Sequence, residues 1–169
     1  AVTVEVRRMG GAFGGKETQA AQWAVITALI AVQTGRPAKL RLDRDDDMIS
    51  TGKRHDFRIR FDVGFDDTGQ ISGIDFELAA GCGFSADLSG AISDRAMFHS
   101  DNAYFLPAVR IRSYRCRANT VSNTAFRGFG GPQGMMGIER VMDAIAAHLH
   151  KDPLEVRKLN LYAGEGRNL

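Results

Sequence analysis

The sequence predicts a mixed α+β fold, and two stretches indicate it. Apolar and charged residues alternate along Phe57–Phe65, as they do in a half-buried strand. Between Pro132 and about His150 the apolar residues recur with helical spacing, as on the buried face of an amphipathic helix. Residue 1 is Ala and an alternating pattern begins at once, so we expect residues 1–169 to be an interior piece of a longer chain.

The first third of the chain predicts a strand, a helix and a second strand. Val2–Arg8 alternates, Glu17–Thr34 is apolar around most of its surface and is expected to be largely buried, and Ala38–Asp43 is a short strand. The acidic stretch Asp43–Asp47 lacks the spacing of a calcium-binding EF-hand loop, because its twelfth position is Arg54 rather than Glu. We therefore interpret it as a solvated loop.

The rest of the chain predicts a hairpin, a further strand and helices separated by loops. The hairpin rests on two signals at once, the alternation of both strands and the Asp-Asp-Thr-Gly turn between them. In order, the elements are a β-hairpin of Phe57–Phe65 and Ile71–Ala79, a loop over Gly81–Ser93, a short helix or ordered loop over Arg95–Ala103, a strand over Val109–Ala118, a helix from Pro132 to about His150, and a helix capped by Asp152 that ends near Leu161.

The composition excludes several classes of function. The 22 basic and 20 acidic residues leave a net charge of +2, which gives no broad basic face for nucleic acid. No apolar run reaches the length of a membrane span and no secretion or transit signal is present, so we expect a cytoplasmic location without membrane contact. The two cysteines, Cys82 and Cys116, are too few for a disulfide framework, a four-cysteine zinc site or an iron–sulfur cluster held by this chain alone.

Glycine clusters in two loops, Met9–Lys16 and Ala125–Gly134. The first follows a predicted strand and opens a predicted helix, where free N–H groups can hold an anion. It nearly matches a phosphate-binding loop, but Glu17 replaces the Ser or Thr that would hold magnesium, so a phosphate- or nucleotide-binding module on residues 10–16 stays an alternative hypothesis. In the second loop, phenylalanines beside glycines indicate a flat ligand, although a tight turn with core phenylalanines would show the same pattern.

Four motifs carry a resemblance to a known family. They are GGAFGGKET at 10–18, LDRDDDM at 42–48, RAMFH at 95–99 followed by Asp101-Asn102, and SNTAFRGFGGPQG at 122–134. In this order, over nearly the whole chain, they resemble the molybdenum-cofactor-binding region of the xanthine dehydrogenase and xanthine oxidase family of molybdenum hydroxylases. The chain departs from the pattern at Ala12, where many members have glycine.

Members of that family insert a water-derived oxygen into heterocycles or aldehydes with the help of a molybdopterin-bound molybdenum. The resemblance implies that this chain offers backbone to the molybdenum cofactor and that no side chain of it binds the metal directly. It also implies FAD and [2Fe-2S] clusters in other domains or subunits, which become expected partners together with the remainder of the molybdenum subunit. The cofactor-binding residues implied by their place in the motifs are Phe13, Gly14, Ala125, Phe126 and Arg127.

The resemblance also implies residues that act on a small purine substrate. Phe129 would stack on the ring, and Glu17 and Arg95 would be the catalytic residues that face it. A guanidinium stabilises the negative charge that hydroxylation builds on a purine, and a carboxyl group can share a proton with the edge of the ring. Aldehyde oxidases resemble this chain but carry apolar residues at the positions of Glu17 and Arg95, so hypoxanthine or xanthine is the expected substrate.

Other interpretations of these residues remain open at this point. Without the resemblance, Glu17 is a helix-start carboxylate and Arg95 forms a surface ion pair with Asp94 or Asp101. An aldehyde oxidase or another N-heterocycle hydroxylase is the alternative within the family, and a scaffold piece without activity is a further one. The family's catalytic base would lie beyond Leu169, so we expect the piece itself to be inactive.

Overall fold

A computed structural model describes residues 1–162 of the chain. The helices are α1 (Gln19–Thr34), α2 (Arg44–Ser50), α3 (Ser89–Phe98), α4 (Gly131–Leu149) and α5 (Pro153–Asn160). The strands are β1 (Phe57–Phe65), β2 (Ile71–Gly83) and β3 (Val109–Arg117). The mixed α+β class is confirmed, and none of the helices within residues 1–162 is long and apolar enough to cross a membrane.

The strands form one sheet in the order β1-β2-β3. The predicted hairpin is confirmed: β1 and β2 are antiparallel, and the carboxylate of Asp66 accepts the N–H groups of Thr68, Gly69 and Gln70 in the turn between them. The Thr68 hydroxyl also donates to this carboxylate, and together with the N–H groups it stabilises the charged form, so the pKa of Asp66 lies below its usual value. β3 runs parallel to β2, and α3 lies in the connection between them.

The core lies between one face of the sheet and α4. Ile74 and Phe76 of β2 are buried there against Ile138, Met142 and Ile145 of α4, which recur at the predicted helical spacing. Burial of each such side chain contributes about 1.5–3 kcal/mol, so this layer is the main source of stability in the described residues. The helix predicted from Pro132 is therefore confirmed, and so is its buried face except at Met136, which was expected in that face but is 69% exposed.

α3 lies against the start of α4, and two glycines permit the close contact. A Cβ at Gly130 would overlap with the carbonyl oxygen of Ile92, and a Cβ at Gly134 would overlap with the carbonyl oxygen of Ala96. Gly130 also has a φ of 94°, in the left-handed region that favours glycine. The end of the second glycine loop is thus fixed between two helices of the core.

The first third of the chain differs most from the sequence-based expectation. Val2–Arg8 and Ala38–Asp43 were predicted to be strands, but neither segment is a strand in the structure. Within residues 1–162, neither of them pairs with a strand of the sheet. The prediction that Glu17–Thr34 is largely buried was also wrong, since α1 contains no buried residue and Leu29 is 54% exposed. Its apolar surface has no core to pack against in the described residues.

Two loops predicted from the sequence contain regular structure. The acidic stretch is the start of α2 rather than a loop, because the Asp43 carboxylate accepts the N–H of Asp46 at 2.8 Å and caps the helix. The following carboxylates lie in the first turn, where the helix dipole favours them. Within the predicted loop over Gly81–Ser93, β2 continues to Gly83 and α3 already begins at Ser89. The helix predicted within Arg95–Ala103 is confirmed only as far as Phe98, and it starts earlier than expected.

Candidate functional site

Residues 12–15 form a tight turn in the first glycine loop. The N–H of Gly15 donates to the carbonyl oxygen of Ala12 at 2.9 Å. Between them φ is 50° at Phe13 and 91° at Gly14. Positive φ at both central residues is the mark of a type I′ turn, a conformation that glycine adopts freely and phenylalanine rarely. The side chain of Phe13 is left 64% exposed by this turn.

Residues 128–131 repeat that turn in the second glycine loop. The N–H of Gly131 donates to the carbonyl oxygen of Gly128 at 2.9 Å, and φ is 50° at Phe129 and 94° at Gly130. Holding a bulky residue in the left-handed region costs of order 1–3 kcal/mol, and such strain clusters at ligand sites. The repeat is visible in the sequence as Phe-Gly-Gly in both loops, a signal that goes unnoticed when each loop is compared only with known motifs.

The two loops touch where Gly14 meets Phe126. A Cβ at Gly14 would lie 3.2 Å from both the Cα and the backbone nitrogen of Phe126, closer than ordinary contacts allow. The left-handed φ of Gly14 adds strain for any side chain there. The first turn therefore rests directly on the backbone of the second loop. This contact brings together residues more than a hundred positions apart, so no local pattern could have predicted it.

A cavity of about 810 Å³ lies beside this contact. Its wall includes three of the predicted cofactor-binding residues, Phe13, Ala125 and Phe126, together with the rest of the first loop apart from Gly14. The charged side chains that line it are the acidic Asp47 and the basic Arg7, Arg8, Lys16, Lys53 and Arg54. Because basic groups outnumber acidic ones five to one, the cavity favours an anionic ligand.

Arg54 joins the two sides of this cavity, and nothing in the sequence singled it out. Its Nη2 donates to the carbonyl oxygen of Arg127 at 2.6 Å, and its guanidinium carbon lies 4.5 Å from the centre of the Phe126 ring. Its Nη1 is buried and has no hydrogen-bond partner within residues 1–162. The contact spans 73 residues of sequence, which explains why pattern reasoning missed it.

The backbone on either side of Arg54 is bound to the core and to the second loop. The carbonyl oxygen of Lys53 accepts the N–H of Thr124 at 3.0 Å, and the carbonyl oxygen of His55 accepts the side-chain N–H of Gln133 at 3.2 Å. The His55 ring is buried, with Nε2 2.7 Å from Oγ of Ser89. Arg54 is therefore anchored at both of its neighbours, which fixes where its side chain begins.

Burial lowers the pKa of His55, because the charged imidazolium would lose its hydration in the core. The backbone of Thr124 and the carboxylates of Asp56 and Asp87 act in the opposite direction but do not outweigh the burial. Folding therefore favours the neutral ring, and its Nδ1 is buried without a hydrogen-bond partner within residues 1–162.

The remaining predicted site residues lie outside the cavity wall. Glu17 is exposed just before α1, and its carboxylate accepts the N–H of Lys16 at 3.2 Å. Arg95 is exposed in the last turn of α3, and its Nε donates to Nε2 of His99 at 3.4 Å. Phe129 is half-buried in the second turn. Within residues 1–162 the structure therefore brings three of the predicted cofactor-binding residues to one cavity wall but does not place the predicted catalytic residues there.

The alternative interpretation of Arg95 as a surface ion pair is wrong in the described residues. Asp94 lies 3.5 Å from Arg115 instead, and Asp101 accepts a hydrogen bond from Tyr162 at 3.3 Å. Arg95 is instead connected to the second loop through its contact with His99. A Cβ at Gly131 would lie 3.3 Å from Cδ2 of that histidine ring.

Comparison with known proteins decides the family. Residues 1–161 match the model of the molybdopterin cofactor-binding domain. The chain belongs to this family. Its relatives include the xanthine dehydrogenase/oxidase of Gallus gallus, 48% identical over 161 residues, and the xanthine dehydrogenase 1 of Arabidopsis thaliana, 48% identical over 159 residues. These alignments cover 95% and 94% of the chain but only 12% of each relative, and they confirm the family expected from the motifs.

Other members of the molybdopterin-binding family act on different compounds according to their names. The nicotinate hydroxylase hnxS of Emericella nidulans is 43% identical over 161 residues, which is 95% of the chain and 12% of that protein. The aldehyde oxidoreductase structure from Desulfovibrio gigas superposes with a TM-score of 0.78 at 30% identity, over 91% of the chain and 17% of that structure. The fold is thus shared by enzymes with different substrates, and substrate class must be argued from individual residues.

Proposed function

We propose that this chain is part of a longer, cytoplasmic molybdenum hydroxylase that oxidises purines such as hypoxanthine or xanthine. The observation that carries the proposal is the pair of matched Phe-Gly-Gly turns that meet at Gly14 and Phe126 beside a basic cavity. The remainder of the molybdenum subunit, and domains or subunits with [2Fe-2S] clusters and FAD, are its proposed partners. The relatives support this because the chain spans only 12% of their length.

The residues of the cavity fit an anionic pterin cofactor. Such a group carries phosphate, and Lys16, Lys53 and Arg54 on the wall supply positive charge for it. The buried and unpaired Nη1 of Arg54 is a donor that an anionic oxygen could satisfy. When bound, the molybdenum cofactor supplies the metal at which a substrate carbon receives a water-derived oxygen. The residues proposed to hold it through their backbone are Phe13, Gly14, Ala125, Phe126 and Arg127.

We propose that Arg95, Glu17 and Phe129 orient the purine. Hydroxylation at an electron-poor carbon builds negative charge on the ring, and a fixed guanidinium from Arg95 stabilises that charge more in the transition state than in the ground state. Glu17 accepts or shares a proton at the ring's edge, and Phe129 stacks on its face. The exposure of Arg95 and Glu17 in residues 1–162 is consistent with side chains that contact a substrate.

Two alternatives have observations in their favour. The likeness to an aldehyde oxidoreductase and a nicotinate hydroxylase supports oxidation of an aldehyde or another N-heterocycle. The lysines beside the first glycine loop support a phosphate- or nucleotide-binding module on residues 10–16. Glu17 opposes the second alternative, because its carboxylate accepts the N–H of Lys16, a group that a phosphate would need. Magnesium-dependent binding of ATP by the chain would favour the nucleotide alternative.

The decisive experiment measures kcat/KM for two substrates in the full-length wild-type enzyme and in its Arg95→Met variant. Arg95→Met keeps the length of the side chain but removes its charge and its donors, so kcat/KM for xanthine should fall by about 100- to 1,000-fold. An aldehyde develops its charge on its own oxygen, so kcat/KM for a small aromatic aldehyde should hold steady or rise. Arg60→Met, on an exposed position of β1, is the matched control. Equal losses for both substrates would show that Arg95 is structural and that the purine assignment is unsupported.

A further inference from the structure

Arg54 lies between the core and the second glycine loop, and nothing in the proposed function uses its side chain to hold that loop. Its guanidinium makes two contacts with consecutive residues of the loop, the ring of Phe126 and the carbonyl oxygen of Arg127. We propose that Arg54 is a positioning residue that fixes these two residues, and thereby orients the backbone that the second loop presents to the cavity. The proposal deepens the proposed function, since that function makes the same backbone part of the cofactor site.

A guanidinium suits this task for geometric reasons. Its flat face can lie over an aromatic ring while an N–H at its edge donates to a carbonyl oxygen, and a bond from a charged donor is about twice as strong as a neutral one. The 2.6 Å distance from Nη2 to the oxygen of Arg127 fits such a charged bond. A lysine ammonium is a compact point charge, so it cannot make both contacts with the same geometry.

The loop has little else to hold it at this point. Phe126 is 45% exposed and Arg127 is exposed in the described residues, so burial does not fix their side chains, although Gly14 lies against the backbone of Phe126. The carbonyl oxygen of Phe126 accepts the N–H of Phe129 at 2.8 Å, and the carbonyl oxygen of Gly128 then accepts the N–H of Gly131. The turns of residues 126–129 and 128–131 therefore begin at or directly after the residues that Arg54 contacts. Release of Arg54 should loosen the chain as far as Phe129.

Arg54 itself is well anchored. Its neighbours Lys53 and His55 bond to Thr124 and Gln133, and the buried His55 ring reaches Ser89 at the start of α3. The Arg54 side chain thus connects the exposed second loop to the core. Its remaining nitrogen, Nη1, is buried on the same side chain without a partner in residues 1–162, which leaves a donor for a ligand in the adjoining cavity.

The test is hydrogen–deuterium exchange of the full-length protein, with molybdenum content as a second readout. In Arg54→Met, amide exchange in peptides covering residues 125–131 should rise by at least about tenfold, because one charged hydrogen bond is lost from a locally opening segment. Peptides covering 138–146 in the buried part of α4 should be unchanged. Arg54→Lys should also show faster exchange at 125–131. Arg58→Met, an exposed arginine on β1, is the matched control and should leave both regions unchanged.

The outcomes separate this proposal from the proposed function. Exchange at 125–131 within twofold of wild type in Arg54→Met would overturn the positioning role. Faster exchange with reduced molybdenum supports both. Faster exchange with normal molybdenum would uphold the positioning role and contradict the part of the proposed function that gives this loop to the cofactor. Should Arg54→Met fail to fold, Phe126→Leu removes the ring beneath the guanidinium, and unchanged exchange at 125–131 in that variant would also overturn the proposal.

Discussion

The two Phe-Gly-Gly turns have the same backbone conformation but different surroundings. In the second turn Gly130 and Gly131 are buried, and α4 follows with more buried residues than any other helix in the described residues. In the first turn Phe13 is exposed, and α1 follows without a buried residue. The comparison shows that the local sequence determines the turn, whereas its rigidity comes from what the following helix packs against.

The difference also gives the two loops unequal roles. The second loop belongs to the folded core, through the contacts of Gly130 and Gly134 with α3. The first loop takes its position from the second, through the contact of Gly14 with the backbone of Phe126. Disturbance of the second loop should therefore affect both turns, whereas disturbance of the first should leave the core intact.

The largest expected effect is at Gly130. Gly130→Ala adds a Cβ that overlaps with the carbonyl oxygen of Ile92 and strains a left-handed residue, so it should cost about 3 kcal/mol or more. Gly10→Ala in the first loop, where a Cβ meets nothing within 4 Å, should be neutral. Soluble yield and Tm of the two variants measure the difference. A normal Tm for Gly130→Ala would show that the second turn is not fixed by α3.

A smaller effect separates the two helices that follow the turns. In the 169-residue chain, Ile138→Ala in α4 should lower the free energy of unfolding by about 2–5 kcal/mol, because it opens a cavity in the core. Leu29→Ala in α1 should change it by less than about 0.5 kcal/mol, because that side chain is mostly exposed. Urea denaturation of both variants gives the values. Similar losses would mean that α1 is packed more tightly than its exposure indicates.

The smallest effect is a pH dependence of stability that originates at His55, whose carbonyl oxygen binds Gln133. Since the pKa of His55 is lowered by folding, the unfolded chain binds a proton that the folded chain does not as pH falls below about 6.5. Stability should therefore be lost at acidic pH, by at most about 1.4 kcal/mol per pH unit from this group. His55→Gln should flatten the dependence of Tm between pH 7.5 and 5.5. An equal slope in wild type and His55→Gln would exclude His55 as the cause.

Sequence patterns predicted those parts of the fold in which every signal is local. The hairpin combines an alternating pattern with a turn in which the Asp66 carboxylate accepts N–H groups of the same turn. Helix α4 combines helical spacing of apolar residues with a proline at its start. The same reasoning failed for Val2–Arg8. An alternating apolar pattern indicates that a segment can form a strand, but it does not indicate whether a partner strand is present. It failed for α1 because apolar composition does not reveal what covers a helix.

The candidate site shows the same division. The glycine loops were recognised from their motifs, and three of the predicted cofactor-binding residues lie on one cavity wall. The roles of Glu17, Arg95 and Phe129 remain predictions. Arg54 was missed, because its meaning depends on a contact across 73 residues of sequence rather than on any neighbouring pattern.

The most direct test of the claim that both turns serve one cofactor site is the molybdenum content of two neighbouring variants in the full-length protein. Gly14→Ala pushes against the backbone of Phe126 and strains a left-handed residue, whereas Gly15→Ala meets its nearest neighbour, the carbonyl oxygen of Ala12, at an ordinary 3.7 Å. We expect Gly14→Ala to lose most of its molybdenum while its Tm stays close to that of wild type, and Gly15→Ala to retain it. Equal molybdenum content in the two variants would contradict the account.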